Sequence, residues 1–283
     1  MSRSGIMLCY PFEESRLAKW KPPYIIQPKL DGDRCRVCID SDGLVTLLSS
    51  EQNEITSVPH INSALSGMHL RNVELDGELY IHGAPHEDIH SIVSRTENLH
   101  PDYKLMEIHL FDIVDFSKTQ LQRVTDLIHL IPHSIGCHNF SPIQLVRNRL
   151  VEDIDSIMQA QETFAHDGYE GFVIREADAS YVRKRSTSMM KFKPRKEDIY
   201  EIVGSQEEVS KDGIPKMALG ALICRGDDGT LFNVGSGSLL TRENREVYWK
   251  SRDTLIGKYA RVKYQHMTSA RGVPRFPVLV DII

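Results

Sequence analysis

No uninterrupted apolar run in the sequence approaches the roughly 20 residues that a membrane-crossing helix needs, so no membrane partner is expected. The opening stretch, MSRSGIMLCYPFEESR, has no long apolar segment followed by a small-residue cleavage site. No secretion signal is read from it, and a cytoplasmic protein is expected. Cysteine is scarce and odd in number: five residues, at Cys9, Cys35, Cys38, Cys137 and Cys224. Cys35 and Cys38 form a CxxC, but there is no second pair to complete a zinc site. They also lie in the alternating run RCRVCID, where residues three apart on a strand point to opposite faces. Buried free thiols in a reducing compartment are the expected state. Internal repeats and low-complexity tracts are also lacking. So is an excess of positive charge: a net charge of −5 argues against a protein that coats nucleic acid nonspecifically.

What is present supports a sizeable core. A chain of 283 residues holds two compact domains or one large one, and 41% hydrophobic with 26% charged residues is ordinary for a globular protein. The charge is unevenly placed. Seven basic residues (Arg183, Lys184, Arg185, Lys191, Lys193, Arg195, Lys196) fall between positions 183 and 196 with no acid among them. A locally basic strip on an acidic chain suits a focused phosphate site, although any single charge run also fits a solvated face.

The segments YIIQPKL, RCRVCID and LVTLLS read as consecutive strands, and HINSALSGM as a short helix. NVELDGELYIHG reads as a strand interrupted by Asp-Gly, and MEIHLFDIVDF as another strand. TQLQRVTDLIHLI and VEDIDSIMQAQETFAHDG carry helical spacing, the second with glycine available as its C-cap. EGFVIRE and SMMKFKP then read as short buried strands. Short connections between several strands predict an α+β domain with antiparallel sheets and flanking helices over residues 1–194. Past Pro194, five short strands and one helix in under a hundred residues fit a small β-barrel of the oligonucleotide-binding (OB) type over 195–283.

Several strands of the first region carry charge where they should be buried. Lys29, Asp31 and Arg34 sit in KLDGDR, Asp76 and Glu78 in LDGELY, Asp112 in LFDIVDF, Glu170 and Arg175 in EGFVIR, and Lys191 and Lys193 in KFK. Burying an unpaired ion is expensive, so such strands must converge on one another or on a ligand.

The order KxDGxR, DGE, FD, EGxxxR, KxKP resembles the covalent nucleotidyltransferases: ATP-dependent DNA ligases, RNA ligases and mRNA capping enzymes. The resemblance covers nearly the whole chain, and within the family it is to small ATP-dependent DNA ligases. Three features carry that choice: the arginine of DGxR, the glutamate of EGxxxR, and GVPRFP near the end of the chain. It implies ATP and Mg2+ or Mn2+ as cofactors, nicked duplex DNA as partner, and a monomer. Lys29 would attack the α-phosphate and carry AMP. That step needs a neutral amine, which neighbouring cations and desolvation favour in general. Glu170 and Glu78 would hold the metal or the ribose. Lys191 and Lys193, alternate residues on one strand, would neutralise the α-phosphate. Arg34 would bind the nucleotide sugar or the nick phosphate, Asp31 the sugar–metal region, and Gln27 would read the base edge. Arg175 would join the nucleotide-binding set. Phe111 stands equally as a purine-stacking ring or as core. Two departures are visible: Ser50 stands where such ligases often have an arginine, and no basic stretch follows the last strand, VLVDII. A nick-binding protein that has lost catalysis is the alternative, and the intact lysines and Glu170 speak against it.

Overall fold

The computed structural model describes residues 5–131, 141–194, 196–210, 213–264, 267–268 and 271–283. Cys137 and Arg195 lie outside the described residues. In chain order the elements begin with β1 (Leu8–Pro11), α1 (Glu14–Leu17), β2 (Tyr24–Pro28), β3 (Asp33–Ile39) and β4 (Val45–Ser49). Next come α2 (Pro59–Ser66), β5 (Val73–Tyr80), α3 (His86–Val93), β6 (Glu107–Ile113) and α4 (Gln120–Leu130). They are followed by β7 (Ile143–Leu145), β8 (Arg149–Val151), α5 (Ile154–His166), β9 (Phe172–Glu176) and β10 (Arg185–Phe192). The last are β11 (Lys196–Val209), β12 (Pro215–Arg225), β13 (Leu231–Val234), α6 (Arg242–Lys250), β14 (Tyr259–Tyr264) and β15 (Val278–Ile282).

Packing divides the chain into two units, Met1–Glu152 with Val173–Lys191, and Asp153–Phe172 with Phe192–Ile283. The first is built on two five-stranded sheets, ordered β4-β3-β5-β6-β7 and β1-β10-β9-β2-β8. Alternation explains the centre of the first sheet: Cys35, Val37 and Ile39 of β3 are buried together, while Cys38 is half-buried on the other face. Burial pushes the Cys35 thiol well above its ordinary range, and all four described cysteines are free. The Asp-Gly of LDGELY does not interrupt its strand. β5 runs through it and absorbs the irregularity as a bulge between Asp76 and Gly77, opposite β6.

The pairs β6–β7 and β1–β10 are parallel, which the short-connection argument does not anticipate. Helix α4 lies in the β6–β7 connection, the kind of crossover that parallel neighbours require. β1 meets β10 from the far end of the unit's sequence. The helices start where the sequence provides caps. Thr119 and Gln122 form a capping box on α4, and Asp153 and Ser156 form one on α5. Gly168, at φ +86°, follows α5 in the left-handed conformation that glycine supplies after a helix.

The second unit carries an antiparallel sheet ordered β13-β12-β11-β14-β15. Ser236, just past β13, forms a bridge with Val278 of β15. The core is apolar, with Ile202, Leu219, Leu222, Val234 and Val262 fully buried. Helix α5 packs within this unit, where Glu162 lies 3.6 Å from Arg245 of α6. No helix among the described residues is long and apolar enough to cross a membrane.

Candidate active site

β2 ends at Pro28 and hands the chain to Lys29, after which Leu30–Gly32 turn it back into β3. The glycine of this turn is required by close packing. A Cβ on Gly32 would stand 2.1 Å from the Leu79 carbonyl oxygen, so no larger residue lets the turn lie against β5. The Gly32 N–H donates to Glu78 Oε1 at 2.9 Å, tying the turn to the carboxylate of the DGE segment. Lys29 is half-buried; its Nζ donates to the Leu30 carbonyl at 3.2 Å and lies 3.8 Å from Asp31 Oδ1. These groups open on a cavity of about 340 Å3 whose walls include Gln27, Lys29, Asp31, Arg34, Glu78, Phe111, Arg175 and Lys191. Its size falls within the range of ligand pockets.

Beneath the cavity lies a buried polar network. Asp112 is fully buried and takes Arg123 Nε at 2.8 Å on one oxygen and Arg175 NH1 at 3.1 Å on the other. Arg123, itself fully buried, also donates to Gln120 Oε1 at 2.6 Å and to two backbone carbonyls. Arg175 reaches up from this base, its Nε donating to Gln27 Oε1 at 2.9 Å. A second buried carboxylate, Asp76, is clasped by Arg34 through Nε at 2.6 Å and NH2 at 2.5 Å, and by the Tyr181 hydroxyl at 2.6 Å. The fork of Arg34 is therefore spent on Asp76, and its plane covers the Phe111 ring at 4.7 Å, with Arg175 at 5.3 Å. Phe111 is 7% exposed, so it packs as core and forms part of the cavity wall at once.

Glu170 and Lys193 pair with each other and belong to the second unit, whereas the cavity residues belong to the first. Gly171, beside Glu170, is also fixed by packing, since a Cβ there would meet the Phe192 carbonyl at 2.0 Å. The basic strip does not behave as one surface. Arg183 is held by Glu74 at 2.6 Å, Arg185 donates to the Cys9 carbonyl, and Lys193 is on Glu170. Sequence reading missed Arg123, Tyr181 and Asn148. Arg123 carries a signal in retrospect: it shares the buried face of α4 with Gln120, Val124 and Leu127.

Burial raises the Glu78 carboxyl to about 7, against the lowering pull of Arg34, the Gly32 N–H and Lys29. Among the described residues no three Asp, Glu, His or Cys side chains converge as a metal cage. Magnesium is commonly held by one or two carboxylates together with substrate phosphates, and Glu78 offers one at the cavity wall.

A half-buried lysine thus lines a charged cavity of ligand-pocket size in the first unit, and the second unit carries a five-stranded antiparallel sheet. The chain belongs to the ATP-dependent DNA ligase family: the model of the ATP dependent DNA ligase domain matches residues 6–193, and that of the DNA ligase OB-like domain matches 207–282. A DNA ligase of African swine fever virus (strain Badajoz 1971 Vero-adapted) is 26% identical over 267 residues, covering 88% of this chain. The chain spans 61% of that relative's length. A DNA ligase of Haemophilus influenzae is 27% identical over 205 residues, 71% of this chain and 69% of that protein. Among solved structures, Chlorella virus DNA ligase-adenylate superposes with a TM-score of 0.66 at 24% identity, covering 100% of this chain and 99% of that one. The ATP-dependent DNA ligase of bacteriophage T7 in complex with ATP gives 0.69 at 18% identity, covering 97% of each chain. At these identities the structural likeness establishes the fold.

Proposed function

We propose that the chain is an ATP-dependent DNA ligase that seals 5′-phosphate/3′-hydroxyl nicks in duplex DNA. Residues 1–194 serve as its adenylation domain and 195–283 as its OB-fold domain. It acts as a monomer in the cytoplasm. The observation that carries the reading is the placement of Lys29 with Glu78, Lys191 and the Gln27–Arg175 pair around one cavity.

Lys29 Nζ, once neutral, attacks the α-phosphorus of ATP; the N–P bond forms as the bond to the bridging oxygen breaks, and pyrophosphate leaves. AMP then passes to the 5′-phosphate at the nick, and the 3′-hydroxyl displaces it, joining the strand. Lys191 offsets charge on the α-phosphate, and Asp31 and Arg34 border the nucleotide. Gln27 and Arg175 meet the base edge, and Phe111 lies against the purine. Glu78, with the phosphates of the nucleotide, would hold Mg2+ or Mn2+, which supplies Lewis-acid neutralisation there. Glu170 and Lys193 are assigned to the same reaction by motif order.

Intact-mass measurement after incubation with ATP and magnesium tests the proposal. One added AMP is expected on the wild type and none on Lys29→Ala, which should also fail to seal a nick while melting like the wild type. Labelling that persists on another lysine overturns the assignment.

A further inference from the structure

At the cavity wall, the amide of Gln27 has no freedom of orientation. Arg175 Nε can only donate and the Phe111 carbonyl can only accept. Gln27 must therefore turn Oε1 to Arg175 (2.9 Å) and Nε2 to Phe111 (3.3 Å). The remaining N–H of Nε2 goes to Asn148 Oδ1 at 2.8 Å. Asn148 is oriented in turn, because its Nδ2 donates to the Val146 carbonyl at 2.9 Å. Both hydrogens of the Gln27 amide are thus engaged, and only a lone pair on Oε1 remains to meet a ligand.

We infer that Asn148 is a positioning residue that sets the purine preference of the cavity, by engaging the last N–H of Gln27 and leaving that amide as an acceptor only. The inference rests on the proposed use of a purine nucleotide at this site. An acceptor suits a purine with a 6-amino group, the donor of adenine, and opposes one with a 6-oxo group, the acceptor of guanine. Facing two acceptors across a desolvated edge leaves both without a hydrogen, and sites built on such polar matching discriminate strongly. Asn148 is half-buried and outside the cavity wall, so its influence passes through Gln27.

The test compares covalent labelling of the full chain by ATP and by GTP, read as the adduct mass over a range of nucleotide concentrations. Asn148→Leu removes the acceptor and frees one Gln27 N–H for a 6-oxo group. Its ATP-over-GTP ratio of labelling efficiency should fall at least about tenfold, chiefly through tighter use of GTP, with the maximal ATP rate retained. Asn148→Asp keeps the acceptor but, like the leucine, loses the bond to Val146, so it should keep the wild-type ratio. Asn148→Ala repeats the experiment if the leucine variant does not fold. Wild-type and Asn148→Leu proteins that both label with ATP at the same ratio over GTP would overturn the inference and leave the proposed function standing. A wild type labelled by neither nucleotide overturns both.

Discussion

The two units bury different things. Buried charge and amide groups in the first unit include Gln27, Arg36, Asp76, Asp112, Gln120, Arg123 and Arg175, whereas in the second, among the described residues, Gln161 and Ser236 are the buried polar side chains. An apolar core is sufficient to hold a small β-sheet, and the second unit relies on one. Buried ion pairs often stabilise a protein no better than apolar residues of the same volume. Their concentration under the Lys29 cavity therefore marks a region shaped for holding groups in place. Arg34 and Arg175 are wall residues held by Asp76 and Asp112 behind them, and Gln27 is oriented in turn by Arg175.

The contrast is sharpest in a pair of substitutions. Asp112→Ala leaves Arg123 and Arg175 buried without their common carboxylate, and should cost about 3–5 kcal/mol. It should also impair AMP labelling, because Arg175 then no longer holds Gln27. Leu222→Ala opens a cavity in the second unit and should cost about 2–5 kcal/mol, with labelling per folded molecule preserved. Urea unfolding and adduct mass measured on the same samples decide the matter. Labelling that falls equally in both variants would erase the distinction between the two cores.

That distinction was partly legible in the sequence. Asp76 and Asp112 stood out because carboxylates on apolar strands need partners, and both have arginines against them. Helices α4 and α5 were legible because the apolar spacing of TQLQRVTDLIHLI and VEDIDSIMQAQETFAHDG is a local signal. Arg123 did not stand out, since an arginine on an amphipathic helix reads as a surface residue until the face it occupies is known to be buried. The β1–β10 pairing and the attachment of α5 to the second unit were also hidden. Both depend on contacts between segments far apart in the chain, for which periodicity gives no signal. The glycines of KLDGDR and EGFVIR make room for neighbouring backbone, a close approach between distant segments that the sequence does not reveal.

Glu78 sharpens the comparison through pH. Its carboxyl titrates near 7 because burial outweighs Arg34, the Gly32 N–H and Lys29. Below that pH it is increasingly protonated, and a cation held there as proposed would compete with the proton. AMP labelling at limiting magnesium should therefore decline as pH falls below about 7, and raising magnesium should move the decline to lower pH. A decline that stays fixed at every magnesium concentration would remove Glu78 from the metal's binding set.

The smallest expected effect belongs to the second unit. Glu162 of α5 is raised to about 7 by burial and by Glu208, against Arg245. A carboxyl whose folded pKa exceeds its ordinary value of 4.5 binds its proton more tightly in the folded state. Folding then loses stability as pH rises from about 4.5 through 7. Its side chain is 37% exposed, so solvent screens the interaction and the loss is modest. Removing the charge does not strand its partner: Arg245 also donates to the carbonyls of Leu219, Gly220, Gly235 and Leu240. Here the contrast with Asp112 is direct, because Asp112 is the carboxylate that Arg123 and Arg175 share inside the first unit. Glu162→Gln should fold normally and lose less stability than the wild type between pH 5 and pH 8, measured as urea midpoints at each pH. Parallel pH dependences in the two proteins would show that this carboxyl ionises as readily in the fold as outside it.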